Sequence, residues 1–165
     1  MRMIKGKFFW KIGDSPKQVI NVAYNDTQIE YYTFLKEQFE AGYRQIIVSS
    51  EIMIKIIETA VLSDGLFVYE VKLSENDDSM QYEIDTLLNL IEKVPAYFGK
   101  LIEKLSCMAE ESSIDIARVK IKGYTADRKP VDCFIQSNGL LTVNEDSFDN
   151  IQNRLSSLIE RCLFA

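Results

Sequence analysis

Residues 3–12 alternate apolar and polar positions, with Ile4, Phe8, Trp10 and Ile12 on one side and Lys5, Lys7 and Lys11 on the other. Period-two alternation with one polar face predicts a half-buried strand. Gly13-Asp14-Ser15-Pro16 supplies turn chemistry and Gln18 to Tyr24 returns with Val19, Ile20 and Val22, so the two runs read as a hairpin. Asn25-Asp26-Thr27 is suited to cap a helix over 28–41 that Gly42 ends, with Ile29, Tyr32, Leu35 and Phe39 as its apolar stripe. A short strand is expected around Ile46-Ile47-Val48. Ser49 or Ser50 then caps a helix over 51–62, and Glu51 complements its dipole. That helix is apolar nearly all round, from Ile52 to Leu62, which marks it as the central one.

Asp64-Gly65 turns the chain into a strand over 66–73, and residues 74–79 form a polar connector. Met80, Ile84, Leu87, Leu88 and Ile91 follow helical spacing, Pro95 interrupts, and Phe98, Leu101, Ile102, Leu105 and Met108 resume it. Proline removes a hydrogen bond and clashes with the preceding turn, so two helices or one kinked helix are expected. Alternation returns over 115–124, then over 131–136. Ser137-Asn138-Gly139 predicts a tight turn into a strand over 140–143. A last helix over 147–163 places Phe148, Ile151, Leu155, Leu158, Ile159 and Cys162 on one face. The order ββαβαβ-αα-βββα lacks strict βα alternation, so the fold class is α+β, a mixed or antiparallel sheet with helices packed on it. The 165 residues suit one domain over 1–165, with 1–73 and 79–165 as possible lobes about the connector.

Composition narrows the chemistry. There is no histidine, which removes Ser-His-Asp and Cys-His nucleophile pairs, His-ligated zinc and an imidazole relay. Cys107, Cys133 and Cys162 lie far apart without a C-x-x-C pair and are expected as reduced thiols, with Cys107 and Cys162, on predicted helices among apolar neighbours, packed in the core. With neither a signal-peptide pattern nor an apolar run of the ~18 residues a membrane span needs, the chain reads as soluble and cytoplasmic. No glycine-rich phosphate loop or calcium loop occurs, so no cofactor or metal is expected.

Charge is uneven. The net charge is −6, yet residues 74–115 alone hold ten Asp or Glu against three Lys. An acidic field of this kind speeds encounter with a basic partner; the same charge on a solvated helix face also keeps a protein soluble. Glu75, Asp77, Asp78, Glu83, Asp85 and Glu92 are the candidate steering groups, with Tyr82 as the anchoring ring. The opposite sign gathers on two strands: Lys5, Lys7 and Lys11 with Phe9, and Arg118, Lys120 and Lys122 with Tyr124. On one sheet face, six cations with two aromatics would suit a single-stranded nucleic acid. Glu70 is expected to lie between the two strands and neutralise both, since like charges directly opposite destabilise a sheet.

Glu70 and Lys72, with Asp64 before them, superficially resemble the acid–acid–lysine set of PD-(D/E)xK nucleases, in which carboxylates hold a metal and the lysine helps activate water. The spacing argues against it. Asp64 and Glu70 are six residues apart, roughly 20 Å when extended, too far to share one ion. The expected function is therefore a non-catalytic acidic interaction module of bacterial or phage type, such as an immunity protein, an inhibitor or an accessory subunit. Its expected partner is a basic protein, with a nucleic acid as the alternative and a metal-dependent nuclease third. No membrane partner is expected.

Overall fold

The computed structural model describes residues 2–75, 77–112, 114–124 and 127–164. Among them are seven strands, β1 (Met3–Lys11), β2 (Val19–Tyr24), β3 (Tyr43–Gln45), β4 (Phe67–Leu73), β5 (Ile116–Tyr124), β6 (Pro130–Gln136) and β7 (Leu140–Asn144). Five α-helices accompany them: α1 (Tyr31–Glu40), α2 (Ser50–Leu62), α3 (Asp78–Lys93), α4 (Phe98–Glu111) and α5 (Phe148–Phe164). The strands form one antiparallel sheet in the order β2-β1-β7-β6-β5-β4, with β3 pairing the far end of β1. The class is α+β. Strands from both sides of the polar connector share this sheet. Asn76 of the expected connector, and Ala126, where a turn running to Pro130 is expected to begin, lie outside the described residues.

Alternation divides each strand between two faces. Phe8, Val71, Val119, Ile121, Cys133, Ile135, Leu141 and Val143 point inward and pack with α2, α3, α4 and α5 in one large cluster. Each such side chain is worth about 1.5–3 kcal/mol on full burial, so this face dominates stability. Helix α2 sits at its centre, with Met53, Ile56, Ile57 and Ala60 without exposure. The Ser49 hydroxyl accepts from the Ile52 N–H (3.3 Å) and so caps α2. Ser50 in the first turn accepts from the Ile116 N–H (3.0 Å) and bonds Asp115 (3.0 Å), tying α2 to β5. Val94 is extended before Pro95, as the residue preceding a proline prefers. Helix α3 therefore stops at Lys93, and a 3-10 turn over Pro95–Tyr97 leads into α4.

The opposite face carries a small cluster of Phe9, Tyr24, Phe34 and Leu140 under α1. Here the expected stripe is corrected. Helix α1 begins at Tyr31, and Asn25 instead accepts from the Thr27 N–H and hydroxyl in a turn of its own. Phe34 is buried and Leu35 half-buried, whereas Tyr32 and Phe39 are 75% and 58% exposed. A run with five aromatic or aliphatic residues in nine admits more than one helical stripe, and packing on Phe9 and Tyr24 selects the one through Phe34. Strand β3 also comes earlier than expected. Ile46 and Val48 follow it as irregular chain, held by backbone bonds to Phe8 and Ser137.

Candidate interaction surfaces

The two basic strands do share a face. The register runs Lys5–Thr142–Phe134–Lys120–Glu70 across β1, β7, β6, β5 and β4, so these residues form one row on the outer side. Three strand spacings, roughly 14 Å, separate β1 from β5. Glu70 is thus not between them. The sheet order puts β7 and β6 there, and Glu70 lies beyond β5, where its carboxylate pairs with Arg118 at 2.9 Å.

Most of the six cations are engaged within the chain. Lys5 pairs with Asp26 at 3.0 Å. Lys7 is fully buried beneath α1, its ammonium donating to the Asn138 carbonyl, and burial pulls its pKa from 10.5 down to about 8. Lys11 lies 5.9 Å from the Tyr43 ring centre. Lys120 sits between the rings of Tyr69 (5.3 Å) and Phe134 (4.6 Å), and Arg118 also covers Phe134 (5.3 Å). Such cation–π contacts hold a charge without a carboxylate. Phe9 is buried, while Tyr124 is 46% exposed. Lys122 stands exposed, directly across the ladder from Asp132.

The acidic candidates divide among three faces of α3 and its flank. Asp77 caps the helix, accepting from the Met80 N–H at 3.0 Å. Asp85 accepts from Gln81 at 3.0 Å and lines a polar cleft with Tyr69, Glu70, Lys72, Asn89 and Arg118. Glu83 pairs with Lys104 of α4 at 2.5 Å, and its hydrogen bond raises the lysine's pKa. Tyr82, 71% exposed, overhangs the groove between α3 and α4. Glu75 and Asp78 are exposed. Cys107 opens into the same groove, which corrects its expected place in the core, because the buried stripe of α4 runs through Leu101, Leu105 and Met108. Cys133 is buried, its thiol pushed up to about 12 by desolvation, and Cys162 is half-buried against Thr59.

One concavity was not foreseen. A cleft of roughly 630 Å³ opens where the end of α2, the start of β4, the end of α3 and the start of α4 meet. Its walls are apolar, including Leu66, Leu88, Phe98 and Leu101, and size and lining both fall in the range of binding clefts. Leu62 and Phe67 on its wall are 69% and 58% exposed, and Val94 nearby is 45% exposed. Its polar groups are Glu92 on α3 and, toward the outer sheet face, Tyr69, Lys122 and Asp132. The register shift between Val68 and Glu70 makes Tyr69 the extra residue of a β-bulge, which places its ring between the apolar and polar clefts. Its hydroxyl bonds the Asp132 carboxylate, and burial and that charge both push its pKa up.

The signal for the cleft lies only in the bulge: by strict alternation Phe67 is in phase with Tyr69, Val71 and Leu73, and the extra residue at Tyr69 is what turns it to the outer face opposite Lys122.

The carboxylates of the nuclease alternative diverge: Asp64 pairs with Arg161 of α5 at 2.8 Å and Glu70 with Arg118. Among the described residues no group of three Asp, Glu, Cys or His could hold a metal ion, and no helix is long and apolar enough to cross a membrane. Comparison with protein-family models, with curated proteins and with solved structures found no match.

Proposed function

We propose that the protein is a non-catalytic interaction module that docks a basic partner protein, with the apolar cleft beside α3 as the anchor and the acids of α3 as the steering field. The observation that carries this reading is the cleft itself. Exposed Leu62 and Phe67 stand over a floor of buried Leu66, Leu88, Phe98 and Leu101, and a contiguous apolar surface left open marks an interaction site. Glu75, Asp78 and Glu92 remain exposed to act at long range, whereas Asp77, Asp85 and Glu83 are held by the contacts of α3. An immunity protein, an inhibitor or an accessory subunit in the cytoplasm would work in this way.

The test is a native pull-down from source cells, split into nuclease-treated and untreated halves, with wild type and Phe67→Asp. A stoichiometric protein band that survives nuclease and is lost in Phe67→Asp supports the reading. A band indifferent to that substitution removes the cleft from the argument. Reversing Glu75, Asp78 and Glu92 together should slow association several-fold at low salt, and an unchanged on-rate would remove the steering field.

A nucleic-acid reading has one observation in its favour, the shared face of β1 and β5. It predicts binding that falls steeply with salt and disappears when Arg118, Lys120 and Lys122 are neutralised together. The internal pairing of most of those cations makes it the weaker of the two.

A further inference from the structure

We infer that the occupant of the cleft is an amphipathic helix of the partner protein, apolar on the face that enters and basic along its margin. This rests on the docking reading above and adds the conformation and charge of the docked segment. Conformation follows from how the edge of the sheet is closed. Strand β4 is an edge strand, and an exposed edge ordinarily invites an added strand. The side-chain amide of Gln81 occupies that edge as a substitute peptide group: its nitrogen donates to the Val71 carbonyl (2.8 Å) and its oxygen accepts from the Leu73 N–H (3.0 Å). Helix α3 packs along the strand and holds the amide there. These bonds close the edge over 71–73 and leave only the stretch 67–69 beside the cleft, shorter than the roughly five or six residues usual for a strand, so affinity must come from side chains entering the cleft. A helix supplies them in a block, at i, i+3, i+4 and i+7.

Charge follows from the rim. Of the charged residues lining the cleft, Lys122 is the one cation among those described, and it faces Asp132 across the β5–β6 ladder. Glu92 has no cationic partner within 4 Å among the described residues. The helix that carries it belongs to the strongly acidic stretch 74–115. Lys or Arg beside the apolar anchors would answer Glu92 and gain from that field. A second copy of this chain, itself at −6, would meet the opposite effect.

The experiment uses three synthetic peptides of about 18 residues, long enough to hold helix. The first carries Leu and Trp at i, i+3, i+4 and i+7 with Lys on the margins. The second replaces every Lys with Glu, and the third keeps Lys but has Pro at its centre. Binding is read by fluorescence anisotropy against the full chain at about 0.15 M salt.

The expected result is that the first binds at least roughly tenfold tighter than either control. Phe67→Asp and Leu62→Asp should each weaken it about tenfold or more, and Glu92→Lys severalfold, while Tyr32→Ser on the other side of the sheet leaves it unchanged. Circular dichroism confirms that each variant is folded. Equal binding of the Lys and Glu peptides overturns the charge assignment, and equal binding of the Pro peptide overturns the helix. Should the peptides fail to discriminate while Phe67→Asp still loses the partner in the pull-down, this inference falls and the docking reading stands. If both are indifferent to Phe67, both fall.

Discussion

The two faces of the sheet come from the same strands by the same alternation, yet they are closed in different ways. The inner face meets four helices and carries almost pure hydrocarbon. The outer face meets α1 over β1 and β3 and is left open over β4, β5 and β6, where Glu70 pairs with Arg118 and the Phe134 ring lies against Arg118 and Lys120. Coverage, not strand pattern, decides whether a polar position becomes a buried cost, as at Lys7, or a solvated surface, as at Lys122. The difference gives an order of expected effects.

The largest belongs to the inner face. Ile57→Ala, at a position without exposure, should cost about 2–5 kcal/mol of global stability in denaturant unfolding. A loss under 1 kcal/mol would mean that the inner cluster tolerates voids and that the two faces are more alike than their packing implies.

Next comes the covered part of the outer face. Lys7 has a folded pKa near 8 against 10.5 when unfolded, so below pH 8 both states hold the proton and the penalty is full. Between pH 8 and 10.5 the unfolded chain binds more protons, and stability rises with pH. Lys7→Met should therefore stabilise the protein at pH 7 by on the order of 1–3 kcal/mol, with the gain over wild type vanishing above pH 10.5. A gain that is constant from pH 7 to 11 would show that the ammonium is solvated and that α1 does not seal this half.

The edge between the faces is third. Gln81→Ala strips the Val71 carbonyl and the Leu73 N–H of their partner and should cost about 1–2 kcal/mol. It should also promote association through β4, seen as concentration-dependent sedimentation. The open half of the outer face should matter least: Arg118→Ala breaks a partly exposed pair and should cost less than about 1 kcal/mol.

The alternating strands and the proline break were legible because period and proline chemistry are local. Strand order was not. Whether Glu70 lies between the basic strands depends on which strands pair across the whole chain, and nothing in the Glu70-Val71-Lys72 triplet encodes that. The phase of α1 was ambiguous for a related reason, since its crowded aromatics let the surface beneath choose the stripe. The cleft was hidden because Leu62 obeys the apolar pattern of α2; what makes it exposed is the lack of any neighbour over the last turn. Lys7 reads like Lys5 in the alternation, and only the docking of α1 separates a buried ammonium from a surface one.

The bond from Lys7 to the Asn138 carbonyl spans 131 residues, and β7, one of the neighbours of β1, begins just beyond it. On a ribosome adding about 5–20 residues per second, the first strand therefore waits roughly 7–25 seconds for the partner that completes its ladder. Through that interval the part of the β1 edge over 3–7, which β3 does not reach, stays unpaired and the hairpin presents a bare apolar face to the crowded space around the nascent chain. Synthesis, rather than the finished protein, is where this topology is most vulnerable to wrong pairing, and where a chaperone's cover would change the yield of folded chains.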